Sequence, residues 1–260
     1  MQELIEQITA LLQEQPQILA AWLGGSYGRG EEDRYSDADI IVCTPQPETT
    51  DLFNRLQDIL RQRADIIFIK TLPCSLTINA ITDLWQRFDI TVIDKSSLNN
   101  YGQNEIRFLY DDDDISGLMP EFIQKKSLIP SELKDVTEEF IRVLGLLPVV
   151  IGREDFVMAM SGVQILKDLL IRLIKMSMPC SDAGALSLKK HLPDQDYKIL
   201  LAMPPLTQTR HAILQANIYL ADAFFLKAKN QYEQHNMAWP ERFVKATALY
   251  LEAQLHTKIL

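Results

Sequence analysis

The sequence predicts an α+β protein in which a mixed β-sheet with helices is followed by an α-helical bundle. Short apolar runs rich in β-branched residues alternate with amphipathic segments over about the first 95 residues. After about residue 125, strand-like runs nearly disappear and apolar residues recur every three or four positions. The 260 residues are enough for two domains. We therefore expect domains over residues 1–125 and 126–260, with the joint within residues 124–135.

The first domain is predicted from six elements. Apolar residues at helical spacing favour a helix over the first fifteen residues, which Pro16 ends. The run over residues 18–23 ends at glycines, as a buried strand does when it enters a tight turn. The remaining elements are a strand over residues 37–44, a helix over 49–63, and strands over 64–70 and 87–94. This order indicates a mixed sheet covered by helices.

The second domain is predicted to be a helical bundle. Its longest periodic segments are residues 163–176 and 213–234, and each places apolar residues along one stripe of a helix. Stripes of this kind are buried when helices pack against one another.

Composition excludes several classes of protein. The formal charge of −9 argues against broad binding to nucleic acid, which needs a basic surface. Cys43, Cys74 and Cys180 are odd in number and widely spaced, so neither a disulfide framework nor a CxxC metal site is indicated. The N-terminal segment lacks the basic and apolar regions of a signal peptide, and no run has the length of a membrane span. We expect a cytoplasmic protein without a membrane partner.

The glycine-rich segment "GGSYGRGEED" fits neither of the common nucleotide-binding motifs. It has no lysine where a P-loop requires one, and Asp33 stands where the third glycine of GxGxxG belongs. A short turn of Gly24, Gly25 and Ser26 remains, in which bare backbone N–H groups and a hydroxyl can approach an anion. The segment therefore predicts a phosphate-binding turn.

Three aspartates follow at the starts of predicted strands. Asp37 and Asp39 are two positions apart, so a strand would aim both side chains at the same face. At about 6 Å and an effective dielectric near 20, their repulsion is about 3 kcal/mol, which favours a cation between them. Mg²⁺ is the natural candidate because it prefers oxygen ligands and bridges carboxylates to phosphates. Asp89, at the head of the last predicted strand, supplies a third acid.

The segments "GGSYGRG" and "YSDADIIV" together resemble the GS-x10-DxD signature of the DNA polymerase β-like nucleotidyltransferase superfamily. The spacing from Ser26 to Asp37 is intact, and Asp89 matches the third acid, which is often Glu in those relatives. Within this superfamily the chain is most similar to antibiotic nucleotidyltransferases, which adenylylate lincosamides or aminoglycosides. The similarity lies in its length, its helical second half and the run "FDITVID". The resemblance is strong over residues 1 to about 95.

The resemblance implies a mechanism and a set of site residues. Gly25 and Ser26 would hold the triphosphate of ATP, while Asp37, Asp39 and Asp89 would bind Mg²⁺, with two ions expected. Asp89 would either also remove the proton of a small-molecule hydroxyl acceptor or serve only as a metal ligand. Two further phosphate contacts are expected from Arg29 and Ser36. Family likeness also suggests a homodimer.

Two other functions fit the same residues. The chain could adenylylate a partner protein, as antitoxin-type relatives do, although the large helical domain favours a small-molecule pocket. It could also be a nucleotide sensor that has lost its chemistry, although retention of all three acids argues against that function.

Overall fold

The computed structural model of the chain describes residues 1–45, 49–72, 75–123, 128–178 and 188–259. The chain divides into two compact units, Met1–Gln124 and Lys125–Leu260. Cys74, Cys180 and the first residues of the expected joint, 124–127, lie outside the described residues. Cys43 is a buried free thiol.

The N-terminal unit contains the sheet. Its elements are α1 (Gln2–Gln13), β1 (Ala20–Leu23), α2 (Gly25–Gly28), β2 (Ala38–Thr44), α3 (Thr49–Gln62), β3 (Ile66–Leu72), β4 (Thr77–Thr82), β5 (Arg87–Asp94) and β6 (Arg107–Asp111). Short 3-10 turns cover Lys95–Asn100, Gln103–Glu105 and Ser116–Leu118. The described strands form one sheet in the order β3-β4-β5-β2-β1-β6.

The mixed sheet predicted from the sequence is confirmed. β2 and β5 are parallel, whereas the other neighbouring strands are antiparallel. The four predicted strands correspond to β1, β2, β3 and β5, and the two predicted helices correspond to α1 and α3. β4 and β6 were not predicted, because "TINAIT" and "RFLYD" are short and carry few β-branched apolar residues in a row. The glycine-rich turn contains one helical turn, α2.

Strand alternation divides the sheet side chains between two faces. One face packs against α1 and α3 and buries residues such as Ile40 on β2, Phe88 on β5 and Ile78 on β4. A smaller cluster around Trp22, Cys43 and Ile93 covers part of the opposite face. Residues at the starts of β2 and β5 that point away from α1 and α3 are therefore left outside both clusters.

The C-terminal unit is helical, as predicted. Its helices are α4 (Pro130–Gly145), α5 (Leu147–Gly152), α6 (Phe156–Met176), α7 (Leu188–His191), α8 (Asp194–Leu201), α9 (Arg210–Gln234) and α10 (Glu241–Leu255). The rings of Phe140 on α4 and Phe224 on α9 stack at a centroid distance of 3.8 Å in its core. Among the described residues, no helix combines the length and the apolar character needed to cross a membrane.

Candidate functional site

The glycine-serine turn is built against Asp39. After β1 ends at Leu23, the N–H of Gly24 donates to the carbonyl of Asp39 over 2.8 Å. Gly25 follows with a φ of +55°, in the left-handed region that favours glycine. A Cβ at Gly25 would lie 1.9 Å from Oδ2 of Asp39. Both the backbone conformation and the contact therefore require glycine at this position.

The turn then closes into α2. The N–H of Gly28 donates to the carbonyl of Gly24 over 2.7 Å, and the N–H of Glu31 donates to the carbonyl of Ser26 over 2.8 Å. The first N–H groups of a helical turn have no acceptor within the turn, which leaves them available to an anion. Gly25 and Ser26, the residues predicted to bind phosphate, provide these groups and are both partly exposed.

The three predicted acids lie on one side of the sheet. Asp39 and Asp89 are register partners in the parallel pair β2–β5, so their side chains share a face. Each is flanked along its strand by residues of the core beneath α1 and α3, such as Ile40 and Phe88, which point the other way. Asp37 lies just before β2, two residues ahead of Asp39. Because Asp37 lies before the first residue of β2, its sharing a face with Asp39 stays a prediction.

Arg87 accompanies the acids. It lies two residues before Asp89 on β5, and its Nη1 is 3.7 Å from Oδ2 of Asp37. Its Nη2 donates to the carbonyl of Tyr35 over 2.8 Å, which ties the guanidinium to the segment that leads into β2. A permanent positive charge therefore lies beside the first acid.

The ionisation of Asp89 is affected by its surroundings. Burial raises the pKa of Asp89 above its ordinary value, and the charge of Asp37 raises it further. A hydrogen bond from the Asn79 side chain and the charge of Arg87 act in the opposite direction. The effect of Asp37 indicates that the carboxylates of Asp37 and Asp89 are close enough to repel each other.

Arg29 and Ser36 have protein partners of their own. Nε of Arg29 lies 3.1 Å from Oε2 of Glu31, so the guanidinium is paired within the same loop. The hydroxyl of Ser36 accepts from the N–H of Asp33 over 3.0 Å and shapes the loop before β2. Their predicted role as phosphate contacts stays a prediction.

Hard oxygen donors beside an anion-binding turn suit Mg²⁺, which takes carboxylate and phosphate oxygens together. Within the ranges described, no three His, Cys, Asp or Glu side chains form a ready-made metal centre. Asp39 and Asp89 are nevertheless cross-strand neighbours, and Asp37 lies close enough to Asp89 to raise its pKa. The donor set therefore fits a divalent ion that binds together with phosphates.

Two residues of the site were not predicted from the sequence. Asn79 lies on β4, a strand that was not predicted from the sequence. Arg87 is the first residue of the predicted strand 87–94, which also contains Asp89. Because residues two apart on a strand share a face, the spacing of Arg87 and Asp89 was a signal that could have identified Arg87 as a site residue. Each contributes by neutralising or bonding a carboxylate.

A protein family and solved structures are similar to this chain. Residues 6–84 match the family described as polymerase beta, nucleotidyltransferase. The structure resembles an aminoglycoside 6-adenyltransferase from Bacillus subtilis, with 14% identity, a TM-score of 0.50 and coverage of 96% of this chain and 97% of that one. A nucleotidyltransferase-like protein from Exiguobacterium sibiricum 255-15 matches with 14% identity, a TM-score of 0.40 and coverage of 96% and 87%. No curated protein sequence matches significantly.

Proposed function

We propose that this chain, whose residues 6–84 match the polymerase beta nucleotidyltransferase family, transfers AMP from ATP to a hydroxyl group of a small molecule and releases pyrophosphate. One observation carries the proposal. Asp39 is the register partner of Asp89 and also contacts the turn at Gly25. Asp39 therefore lies beside both a second carboxylate suited to a metal ion and a backbone turn suited to a phosphate.

The turn and the first two acids are assigned to the nucleotide. The backbone N–H groups of Gly25 and Ser26 bind oxygens of the triphosphate. Asp37 and Asp39 hold Mg²⁺, which stabilises the negative charge of the phosphates when it is bound. Arg29 and Ser36 remain candidates for additional phosphate contacts, provided that each gives up its present partner.

Asp89 is assigned to the acceptor side. It accepts the proton of the acceptor hydroxyl as that oxygen attacks the α-phosphorus, and it can also be a metal ligand. The bond from the α-phosphorus to its bridging oxygen breaks, and the electron pair leaves with pyrophosphate. Burial raises the pKa of Asp89, a direction that favours proton acceptance when no cation is bound to the carboxylate.

The acceptor class is proposed from likeness. The protein from Bacillus subtilis is named for an aminoglycoside, and the sequence resemblance covers aminoglycoside and lincosamide enzymes. We therefore propose an antibiotic of one of these classes as the hydroxyl acceptor. The net charge of −9 suits a cationic compound of this kind.

The proposal is tested by incubating the protein with ATP, Mg²⁺ and a panel of aminoglycosides and lincosamides. We expect pyrophosphate release that depends on one acceptor, and mass spectrometry should find that acceptor heavier by one AMP. Asp39→Asn and Asp89→Asn should abolish the product. Asp83→Asn, which changes an exposed carboxylate in the turn after β4, is the matched control and should retain activity.

Other outcomes identify the alternative functions. If AMP is found on a co-expressed protein and no small molecule is modified, the protein-modifying function would be favoured. Binding of Mg-ATP without turnover for any acceptor or protein, unchanged by Asp89→Ala, would favour the sensor. Absence of both binding and turnover would refute the proposed function.

A further inference from the structure

A row of polar side chains crosses the middle of the sheet. Asn79 on β4 is the register partner of Asp89 on β5, and Asp89 is the register partner of Asp39 on β2. The three side chains therefore lie side by side on the same face. Asn79 is flanked on its strand by Ile78 and Ala80, which are buried in the core on the other face. That packing fixes the position of the Asn79 backbone.

The Asn79 side chain is the hydrogen-bond donor that reaches Asp89 from the side opposite Asp39. An amide N–H can hold one carboxylate oxygen and leaves the other with its lone pairs. Unlike Lys or Arg, it brings no charge that would compete with a metal ion. As the register partner of Asp89 on β4, Asn79 is placed to hold this half-buried carboxylate in one orientation.

We propose that Asn79 is a positioning residue that holds the Asp89 carboxylate toward the acceptor and the metal ion. The inference rests on the proposed function, because it assigns Asn79 to the same reaction. Its physical basis is general: side chains that hydrogen-bond metal ligands orient them, and removing such a partner commonly lowers metal affinity or activity about 10- to 100-fold.

Thr77 provides a matched control on the same strand. It lies two residues before Asn79, so it shares the face, and its partner strand is also β5. Its hydroxyl lies 3.0 Å from the hydroxyl of Thr91, a cross-strand hydrogen bond that involves no carboxylate. Thr77→Val therefore removes a bond of similar position and leaves Asp89 unaffected. A loss of activity that both variants share would be due to a change in the sheet. A loss of activity confined to the Asn79 variants would be due to the missing hydrogen bond to Asp89.

The test compares three variants of Asn79 with wild type and Thr77→Val. At saturating Mg²⁺, Asn79→Ala should lower kcat about 10- to 100-fold while KM for ATP stays within about threefold, because Asn79 has no assigned contact with the nucleotide. Asn79→Gln, which keeps the amide, should recover part of kcat. Asn79→Asp, which keeps the shape but removes the donor, should lose at least as much as Asn79→Ala.

A second measurement does not depend on turnover. Mn²⁺ is titrated into each variant with a non-hydrolysable ATP analogue, and bound Mn²⁺ is counted by electron paramagnetic resonance. Asn79→Ala should weaken Mn²⁺ binding about tenfold, and Thr77→Val should leave it unchanged. Equal Mn²⁺ affinity and equal kcat in wild type and Asn79→Ala would overturn the assignment, as would equal losses in Asn79→Ala and Thr77→Val. If wild type turns over no acceptor, the proposed function fails, while the Mn²⁺ titration still decides the role of Asn79.

Discussion

Gly25→Ala and Gly30→Ala form a pair that isolates the contact between the glycine-serine turn and Asp39. Both glycines have a left-handed backbone, with φ of +55° at Gly25 and +66° at Gly30. A Cβ at Gly30 would meet nothing within 4 Å, whereas a Cβ at Gly25 would lie 1.9 Å from Oδ2 of Asp39. The two substitutions therefore impose the same backbone strain, and only one of them displaces a proposed metal ligand.

The expected magnitudes follow from these two terms. The left-handed conformation costs an L residue about 1–2 kcal/mol, partly offset by about 0.4–1 kcal/mol because alanine restricts the unfolded chain. Each variant should therefore lose about 1 kcal/mol of unfolding free energy and a few degrees in Tm, about 2–4 °C. In Gly25→Ala the Asp39 carboxylate must also move by about 1 Å, since its side chain rotates more easily than the backbone shifts. A displacement of this size at a reacting site can reduce the rate about 100-fold.

The assay measures thermal unfolding, Mn²⁺ binding with an ATP analogue, and pyrophosphate release on the same preparations. We expect similar Tm values for the two variants, with Mn²⁺ binding and turnover lost only in Gly25→Ala. If Gly30→Ala loses activity to the same extent, backbone strain rather than the Asp39 contact controls the site. If Gly25→Ala keeps full Mn²⁺ binding and full activity, Asp39 is not the ligand that the proposed function requires.

Three further changes have defined outcomes. Because burial raises the pKa of folded Asp89, its ionisation opposes folding as the pH rises above the unfolded value of 3.8. In EDTA, Asp89→Asn should therefore be more stable than wild type near pH 7.5, and the difference in unfolding free energy should shrink toward pH 4. Urea unfolding at both pH values measures this difference, and a variant less stable than wild type near pH 7.5 would contradict the prediction. Arg87→Met should change the unfolding free energy by less than about 1 kcal/mol, since the side chains of Arg87 and Asp37 are 34% and 45% exposed. The same variant should bind Mn²⁺ more tightly in the absence of nucleotide, because a competing positive charge is gone. Weaker Mn²⁺ binding would contradict this prediction. Phe224→Ala should cost about 3–5 kcal/mol in chemical unfolding, since its fully buried ring stacks on Phe140, and a loss below about 1 kcal/mol would refute that packing role.

The acids could be predicted from the sequence because strand parity is local. Asp39 faces away from Ile40 whatever the partner strand is, and Asp89 stands at the head of a β-branched run that predicts its own strand, whereas Asp37 lies just before β2. Spacing between the glycines and the acids identified the turn in the same way. Nothing in that reasoning needed the order of strands in the sheet.

Asn79 and Arg87 could not be assigned in this way, because their roles depend on which strands are neighbours. β5 pairs with β2 on one side and with β4 on the other, and that choice places Asn79 rather than another polar residue beside Asp89. The sequence of β4 gives a weak strand signal, since Asn79 interrupts its apolar residues. The contact of Arg87 with Asp37 likewise exists only because β2 and β5 run parallel in register.

The placement of Asp39 in a buried strand also has a physical explanation. Ile40 and Val42 bury their side chains beneath α1 and α3, whereas Asp39 points to the other face, where it contacts the Gly25 turn. Register neighbours lie about 5 Å apart, so at an effective dielectric near 20 the charges of Asp39 and Asp89 repel by about 3 kcal/mol. Arg87 lies beside Asp37 as a positive charge, and the neutral side chain of Asn79 is a hydrogen-bond partner of Asp89. The fold therefore places these acids where a divalent ion would lower their mutual repulsion, and the Arg87→Met titration measures how much the Arg87 charge contributes at that place.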